Sequence, residues 1–480
     1  MLLKQTLLYL PAQVVGPLFQ LIAMVVWTHI VDEKTVGVIT LITATHELLQ
    51  IGFISWWSQY ALRFFGRFLD GDESRQSFYR TENAVLLGSV LGQSTIVVAI
   101  LLLLIAPDAS PALLIAVVAY VVSRSLNLYI GERARVQHQI GVYSVQQIVG
   151  PAVGFVLGVA LIRILGHEPE WPLAGYAVAQ FVAVAAVLPK IGHGYRLWPV
   201  DRKIVRHSLQ YGIPLIIGGA LGWVGLNASR FIVDEMQGVA AAGLFAVGYG
   251  LGQRAAAVAA MLVTAAAYPI AVRQMEEGGS TAAMRQLADN SALLVAILAP
   301  SVVGIYMLRT EFVQLLIAKP FQQVTLAILP LSVLAGAIRN FRAHFGDQVF
   351  LLHSRTGLLT VVAAIDAVTT VIASVVCIWL WGIVGGAVAA VLSAALAAGA
   401  SFAIGFLRFG LTLPLGHLLR IVPAAALMAL VLNALPPAEN YLALFAHIFA
   451  GAAVYSIVLA TLYVPTLFKL LRPRTQQSEA

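Results

Sequence analysis

The chain has 480 residues, of which 60% are hydrophobic and 11% are charged. Average soluble domains carry ~25% charged residues, so this composition excludes a soluble globular protein. Apolar runs of about 20 residues recur along the whole chain, and each is long enough to cross a hydrocarbon layer of ~30 Å. We therefore expect an all-α integral membrane protein, because helices satisfy their backbone hydrogen bonds inside lipid.

The apolar runs predict fourteen transmembrane helices. The first run carries Pro11 and lacks a small-residue cleavage site, so we interpret it as a retained span and not as a signal peptide. In chain order, the predicted spans are residues 6–30, 37–62, 82–105, 111–131, 141–165, 172–189, 208–230, 239–267, 287–308, 325–352, 356–381, 383–407, 418–435 and 441–466.

Basic residues orient these spans. With both termini in the cytoplasm, the inner segments hold nearly four times as many Lys and Arg residues as the outer ones, which is the positive-inside pattern. The net charge of +7 then reflects topology and attraction to anionic lipid headgroups, and it indicates no nucleic acid partner.

The beginning of the chain is repeated near its middle. Ile30-Val31-Asp32-Glu33 recurs as Ile232-Val233-Asp234-Glu235, with a proline before each copy (Pro11, Pro214) and a glycine after it (Gly37, Gly243). The repeat predicts two similar halves. They are an N-terminal six-helix bundle at 1–190 and a C-terminal six-helix bundle at 207–410, joined by a basic cytoplasmic linker at 191–206 and followed by two additional helices and a cytoplasmic tail at 411–480.

The loops exclude several classes of protein. No outer loop exceeds roughly sixteen residues on these boundaries, which leaves no room for a soluble catalytic domain. No Gly-rich loop ending in Gly-Lys-Ser/Thr is present, so no ATP site is predicted. The single Cys377 and ten histidines without metal-ligand spacing predict no metal and no cofactor. Two similar halves made of spans are typical of a transporter and not of an enzyme.

Seven charged residues within or at the edge of the predicted spans stand out as candidates for a functional site. Burying such a group in lipid costs ~2.5–3.5 kcal/mol on insertion scales, so these residues are expected to face a water-filled cavity or a charged partner. Asp347 is not counted among them, because it lies toward the cytoplasmic end of its span. The seven are five arginines and two carboxylates: Glu47, Arg63, Arg124, Arg254, Arg339, Arg342 and Asp366.

Three of the seven lie in the N-terminal half. Glu47 shares a polar helix face with Gln50, and it is interpreted either as a cavity carboxylate that takes up a proton or cation or as a structural group bonded to a neighbouring helix. Arg124 shares a face with Tyr120 and Asn127, and we expect this face to line the cavity. For Arg63, at the cytoplasmic end of its span, snorkelling to the headgroups is the alternative to a ligand contact.

The other four lie in the C-terminal half. Arg254 follows Gln253 in the middle of its span, and a cavity role is expected for both. Arg339 and Arg342 are one turn apart and repel each other unless an anion or a carboxylate lies with them, so we predict this pair as the main ligand contact. Asp366 is either their counter-ion or an ion-coupling group.

Several stretches of the chain carry a resemblance to a known family. They are Tyr211-Gly212-Ile213-Pro214, Ser229-Arg230-Phe231-Ile232, Ala242-Gly243-Leu244-Phe245-Ala246, Gly52 with Ala61-Leu62-Arg63, and Asp366 with Gly382-Ile383-Val384-Gly385-Gly386-Ala387. On these stretches the chain resembles the polysaccharide-exporting flippases (Wzx-like) of the multidrug/oligosaccharidyl-lipid/polysaccharide (MOP) transporter superfamily. It departs from their usual Asp-Arg pair at Ser229-Arg230 and from their Ile-Pro at Leu380-Trp381.

The resemblance implies a MATE-like fold, with two bundles around a cationic cavity that opens alternately to each side of the bacterial inner membrane. The implied cargo is an undecaprenyl-pyrophosphate-linked oligosaccharide, moved to the periplasmic leaflet for O-antigen, capsule or exopolysaccharide synthesis. Arginines suit its diphosphate because guanidinium groups bind phosphate oxygens in pairs. Further implied partners are membrane lipids, a coupling proton or sodium ion carried by Glu47 and Asp366, and the polymerase and chain-length proteins of the same pathway.

Three other classes of membrane protein are alternatives to this function. A multidrug or cation antiporter of the same superfamily needs an acidic cavity, which the excess of arginine argues against. A membrane-bound polysaccharide polymerase or glycosyltransferase needs a sizeable outer loop, and none is predicted. A twelve-span sugar permease needs a Gly-to-Arg-Arg layout that residues 66–72 lack.

Overall fold

The computed structural model describes residues 16, 18–68, 72–191 and 196–471. The start of the first predicted span, with Pro11, and part of the predicted linker lie outside these ranges. Every regular element within them is helical: α1 (Leu18–Ile30), α2 (Glu33–Gln50), α3 (Trp56–Phe64), α4 (Asp72–Ile100), α5 (Pro111–Val136), α6 (Ile140–Leu165), α7 (Glu170–Ile191), α8 (Arg202–Gln237), α9 (Val239–Met307), α10 (Arg309–Leu316), α11 (Lys319–Phe341), α12 (Asp347–Leu352), α13 (Gly357–Trp381), α14 (Ile383–Phe409), α15 (Leu415–Ala434) and α16 (Tyr441–Leu471).

Short turns of π or 3-10 geometry continue four of these helices without a break. Ile51–Ser55 joins α2 to α3, Phe65–Phe68 follows α3, Leu101–Ile105 extends α4, and Arg342–Gly346 joins α11 to α12. Counting these continuations, twelve helices in the described ranges are long and apolar enough to cross a membrane, and α1 is a shorter apolar helix. The all-α membrane fold expected from the composition is confirmed.

The eighth and ninth predicted spans lie within α9, which runs for 69 residues. The segment between them was expected to form a loop, but it is helical on both sides of a single break at Gly279, where φ is 72°. Helix-forming residues such as Gln274, Met275 and Glu276 precede this break. The positive φ suits glycine because it has no Cβ.

Side-chain caps fix where several helices begin. Asp32 accepts a hydrogen bond from the Thr35 amide at 2.8 Å at the start of α2. Ser110 accepts one from the Leu113 amide at 3.0 Å before α5, whose first residue is a proline. Asp201 accepts one from the Lys203 amide at 2.8 Å. This cap starts α8 at Arg202, ahead of the predicted span at 208–230.

The chain forms two compact units. The first comprises Met1–Val247 and Ala363–Ser393, and the second comprises Gly248–Val362 and Ala394–Ala480. In the first, a buried cluster that includes Trp57, Tyr60, Phe78 and Tyr129 fills the space between helices. In the second, a separate buried cluster is formed by residues that include Met284, Leu287, Phe345, Val349 and Phe350.

Candidate functional site

A cavity of about 340 Å³ lies inside the first unit, bordered by α2, α5 and α8. This volume is at the lower end of the roughly 300–1,000 Å³ typical of small-molecule sites. The cavity is lined by His46, Glu47, Gln50, Ile51, Tyr120, Arg124, Leu128, Trp223, Leu226 and Asn227.

Glu47 and Arg124 bring opposite charges to the wall of this cavity. The Glu47 side chain is exposed and Arg124 is half-buried. Gln50 follows Glu47 by three positions on α2, and Tyr120 precedes Arg124 by four on α5, so each pair shares a helix face. The polar faces noted on the second and fourth predicted spans therefore meet at one cavity.

His46 joins the cavity wall to a buried chain of polar groups. Its Nε2 lies 3.0 Å from Ser125 Oγ, and this hydroxyl donates to Gln93 Oε1 at 3.2 Å. All three side chains are buried. Because the Ser125 hydroxyl donates its hydrogen bond to Gln93, the Ser125 oxygen accepts one from His46 Nε2. These hydrogen bonds connect α2, α5 and α4 beside the cavity.

α8 contributes Trp223 and Asn227, two polar cavity residues that the pattern of charges in the sequence does not indicate. Trp223 Nε1 donates to the carbonyl oxygen of Ala44 on α2 at 2.9 Å. Asn227 Nδ2 donates to the carbonyl oxygen of Trp223 at 3.3 Å. Neither residue carries a charge, and only the packing of α8 beside α2 brings them to the wall that holds Glu47.

Three other predicted site residues of the first unit do not line this cavity. Asn127 is buried and donates to Gln146 Oε1. Asp366 is buried beside α8, where a Cβ added to Gly225 would lie 3.1 Å from its carboxylate carbon. Arg63 is exposed, and its guanidinium lies 5.5 Å from the ring centroids of Phe64 and Tyr211. That distance is typical of a cation–π contact.

The remaining arginines of the predicted site belong to the second unit. Arg339 is buried and donates to the Tyr249 hydroxyl at 2.9 Å. Gln253 Nε2 donates to the carbonyl oxygen of Ser332 at 3.0 Å, and the neighbouring Arg254 is half-buried.

Arg342 forms an ion pair with Asp347, with 3.3 Å between Nε and Oδ2. The other carboxylate oxygen of Asp347 accepts from Ser401 Oγ at 2.7 Å. Asp347, which the sequence analysis leaves out of the buried charges, is therefore the carboxylate that pairs with Arg342. The contact gives Arg342 a structural partner within its own unit.

A second buried ion pair lies in the first unit. Arg133 Nε lies 3.2 Å from Glu82 Oε1, both side chains are fully buried, and the Tyr129 hydroxyl also donates to Glu82. The Arg133 guanidinium stands 3.6 Å from the centroid of the Phe65 ring. The positive-inside pattern predicts Arg133 to be one of the basic residues on the cytoplasmic side. Its contact with Glu82, 51 positions earlier in the chain, shows that the side chain is buried.

An apolar cavity of about 590 Å³ lies inside the second unit, bordered by α9, α10, α15 and α16. Its walls include Ile305, Phe312, Met428 and Ile448. Among the lining residues that the structure describes, none is acidic or basic. Within the described ranges, no group of three His, Cys, Asp or Glu residues is placed to hold a metal ion.

Residues 2–275 match the model of the family described as polysaccharide biosynthesis protein. The chain belongs to this family. The match covers more than half of the chain and includes all residues that line the cavity of the first unit. Comparison with curated protein sequences gave no significant match.

This member of the polysaccharide biosynthesis family shares its fold with solved transporters. Lipid II flippase MurJ, in an inward closed conformation, matches with a TM-score of 0.74 at 13% identity, over 96% of this chain and 100% of that one. A MATE family multidrug resistance transporter of the MOP superfamily, in an outward-facing conformation, matches with a TM-score of 0.54 at 15% identity, over 85% and 95%. A MOP superfamily transporter from Pyrococcus furiosus gives 0.55 at 17% identity, over 85% and 95%. Family and fold together confirm the resemblance to the MOP superfamily.

Proposed function

We propose that the chain is a flippase that moves an undecaprenyl-pyrophosphate-linked oligosaccharide from the cytoplasmic to the periplasmic leaflet of a bacterial inner membrane. Its family is named for polysaccharide biosynthesis, and its fold is that of membrane transporters, including a lipid II flippase. The observation that carries the proposal is the guanidinium of Arg124 at the wall of a headgroup-sized cavity.

Arg124 is the proposed phosphate contact. A guanidinium offers paired donors that match the oxygens of a phosphate group, and the bonds are charge-assisted. The cavity also holds the neutral amides of Gln50 and Asn227, which suit an uncharged polar group beside the phosphates. Further proposed phosphate contacts are Arg339, Arg254 and Arg63. Arg342 is a weaker candidate, because its guanidinium already pairs with the Asp347 carboxylate.

The apolar cavity of the second unit supports a lipid-linked cargo. The wall residues that the structure describes carry no charge, and a polyprenyl chain is the part of the cargo that such a surface suits. The cavity of the first unit is too small for that chain and is suited to the polar headgroup.

A cation antiporter is the second candidate function. The exposed carboxylate of Glu47 in the cavity favours it, because a cationic drug needs an acidic partner. Arg124 in the same wall opposes it, because the two charges offset each other.

The test compares Arg124→Ala and Arg124→Lys in cells that depend on this chain for polysaccharide export. Loss of charge-assisted bonds worth roughly 1.5–3 kcal/mol is expected to lower export at least about tenfold in Arg124→Ala. Arg124→Lys keeps the charge but loses the paired geometry, so partial export is expected. Arg135→Ala, at an exposed arginine paired with Glu132, is the matched control and exports normally.

Immunoblots of membrane fractions establish that each variant inserts. Normal export by Arg124→Ala at normal abundance would contradict the proposal. Extrusion of a cationic dye by purified wild-type protein in vesicles, without binding of undecaprenyl pyrophosphate, would favour the antiporter instead.

A further inference from the structure

We infer that the indole of Trp223 is a stacking platform for a sugar ring and that Gln50 accepts a hydrogen bond from the same sugar. The inference rests on the proposed function and adds the residues that bind the sugar next to the phosphates. Both residues line the cavity that holds Arg124 and Glu47.

The orientation of Trp223 is fixed from outside the cavity. Its Nε1 donates to the carbonyl oxygen of Ala44 at 2.9 Å, and its ring packs against Phe231 with centroids 5.6 Å apart. The Nε1–H group is the only hydrogen-bond donor of an indole. Because α2 already occupies it, the half-buried ring offers the cavity an apolar, rigid face.

Gln50 supplies an acceptor that the protein leaves unused. It is 8% exposed, and its Oε1 atom is buried without a hydrogen-bond partner in the part of the chain that the structure describes. A buried acceptor without a donor is unfavourable. A ligand hydroxyl that donates to this oxygen, after a small rotation of the side chain, removes that penalty.

Together, the two residues match the chemistry of a saccharide. A pyranose ring presents a flat face of C–H groups, which packs on an aromatic ring, and hydroxyl donors at its rim. A phosphate has neither feature, and a polyprenyl chain has no hydroxyl groups. Arg124 then holds the phosphates while Trp223 and Gln50 contact the first sugar.

The test measures binding to the detergent-purified full-length protein by thermophoresis. The probes are undecaprenyl pyrophosphate alone and the same lipid carrying one galactose or one N-acetylglucosamine. Wild type is expected to bind at least one sugar-bearing probe roughly fivefold more tightly than the sugar-free lipid, the size of one aromatic face contact. Trp223→Leu is expected to lose this preference and to keep its affinity for undecaprenyl pyrophosphate.

Trp379→Leu is the matched control, because Trp379 lies on α13 outside the cavity and is 76% exposed. It should retain the wild-type preference. Trp223→Phe keeps an aromatic face and should retain part of it, and Gln50→Leu should reduce it. These two variants test the inference even where Trp223→Leu does not fold.

Several results would overturn the inference. One is a wild-type protein that binds all probes equally, and another is an undiminished sugar preference in Trp223→Leu and Gln50→Leu. If Trp223→Leu weakens the binding of every probe by the same factor, Trp223 has a structural role only. If wild type binds no undecaprenyl pyrophosphate with or without sugar, the proposed function itself fails, which is distinguishable from loss of the sugar preference alone.

Discussion

Gly243 of α9 lies directly against Gly37 of α2. A Cβ added to Gly243 would lie 2.8 Å from the amide nitrogen of Gly37 and would overlap the carbonyl oxygen of Glu33. A Cβ added to Gly37 would overlap the carbonyl oxygen of Val239. Gly243 thus contacts Glu33, four positions before Gly37, and Gly37 contacts Val239, four positions before Gly243. A local two-fold axis between the two helix starts would produce this reciprocity, and these glycines are the ones that follow the two copies of the repeated motif.

Alanine at either glycine is expected to destabilise the protein. The added methyl collides with backbone atoms, which cannot rotate away, so the two helices must separate at a cost of roughly 1–3 kcal/mol or more. The measurement is the melting temperature of detergent-purified Gly37→Ala and Gly243→Ala. Gly88→Ala is the control, because nothing lies within 4 Å of its Cβ position. That substitution in a helix is expected to be neutral or to stabilise by about 0.5–1 kcal/mol. Equal melting temperatures for all three variants would contradict the close contact.

The Arg342–Asp347 ion pair depends on the local helix geometry. Arg342–Gly346 is a π turn, and the Asp347 amide donates to the Arg342 carbonyl oxygen, which is an i to i+5 bond. The side chains of the same two residues, five positions apart, form the ion pair, with 3.3 Å between Arg342 Nε and Asp347 Oδ2. In an ordinary α-helix, positions five apart do not share a face.

We predict that Asp347→Ala lowers the free energy of unfolding by roughly 3–5 kcal/mol, because it leaves the largely buried Arg342 without its carboxylate. The double variant Arg342→Met with Asp347→Leu should recover most of this loss. Calorimetry of wild type, the two single variants and the double variant measures the coupling free energy between the two side chains.

Polysaccharide export by the folded double variant then tests Arg342 as a ligand contact. Normal export would leave this arginine with a structural role, and loss of export would support a contact with cargo.

The buried pair of Glu82 on α4 and Arg133 on α5 is expected to contribute more to stability than the pair of Glu132 and Arg135, which lies nearer the surface of α5. Glu82→Ala leaves a guanidinium buried against Phe65 without a counter-charge and should cost roughly 3–5 kcal/mol. Glu132→Ala removes the carboxylate 3.0 Å from Arg135, where the side chains are 45% and 29% exposed. That loss should be below about 1 kcal/mol. Thermal unfolding of both variants provides the comparison, and similar losses would show that the first pair is solvated.

Helical spacing alone predicts the part of the site that lies on single helices. The three-residue and four-residue steps between Glu47 and Gln50 and between Tyr120 and Arg124 hold along α2 and α5, so both polar faces could be predicted from the sequence. Asp347 could not be assigned to Arg342, because a π turn changes the register that the prediction assumes. Trp223 reaches the cavity through the packing of α8 beside α2, which no local pattern specifies.

Glu47 is the group on which ion coupling can be tested most directly. Its carboxylate is exposed at the wall that also carries Arg124, so taking up a proton or a sodium ion there changes the charge that a phosphorylated cargo meets. Glu47→Gln fixes the neutral form. We predict that this variant still binds undecaprenyl pyrophosphate, with equal or higher affinity, and that its transport no longer responds to an ion gradient.

The measurement of coupling uses proteoliposomes that contain a fluorescent undecaprenyl-pyrophosphate-linked saccharide. Flipping is followed under a proton gradient, under a sodium gradient and under neither. Wild type should accelerate with one of the gradients, and Glu47→Gln should flip at a single rate in all three conditions. Glu132→Gln, at a half-buried carboxylate paired with Arg135 outside the cavity, controls for the loss of a negative charge and should behave as wild type. A gradient response in Glu47→Gln equal to that of wild type would remove Glu47 from the coupling step and leave Asp366, buried beside Gly225, as the carboxylate to test next.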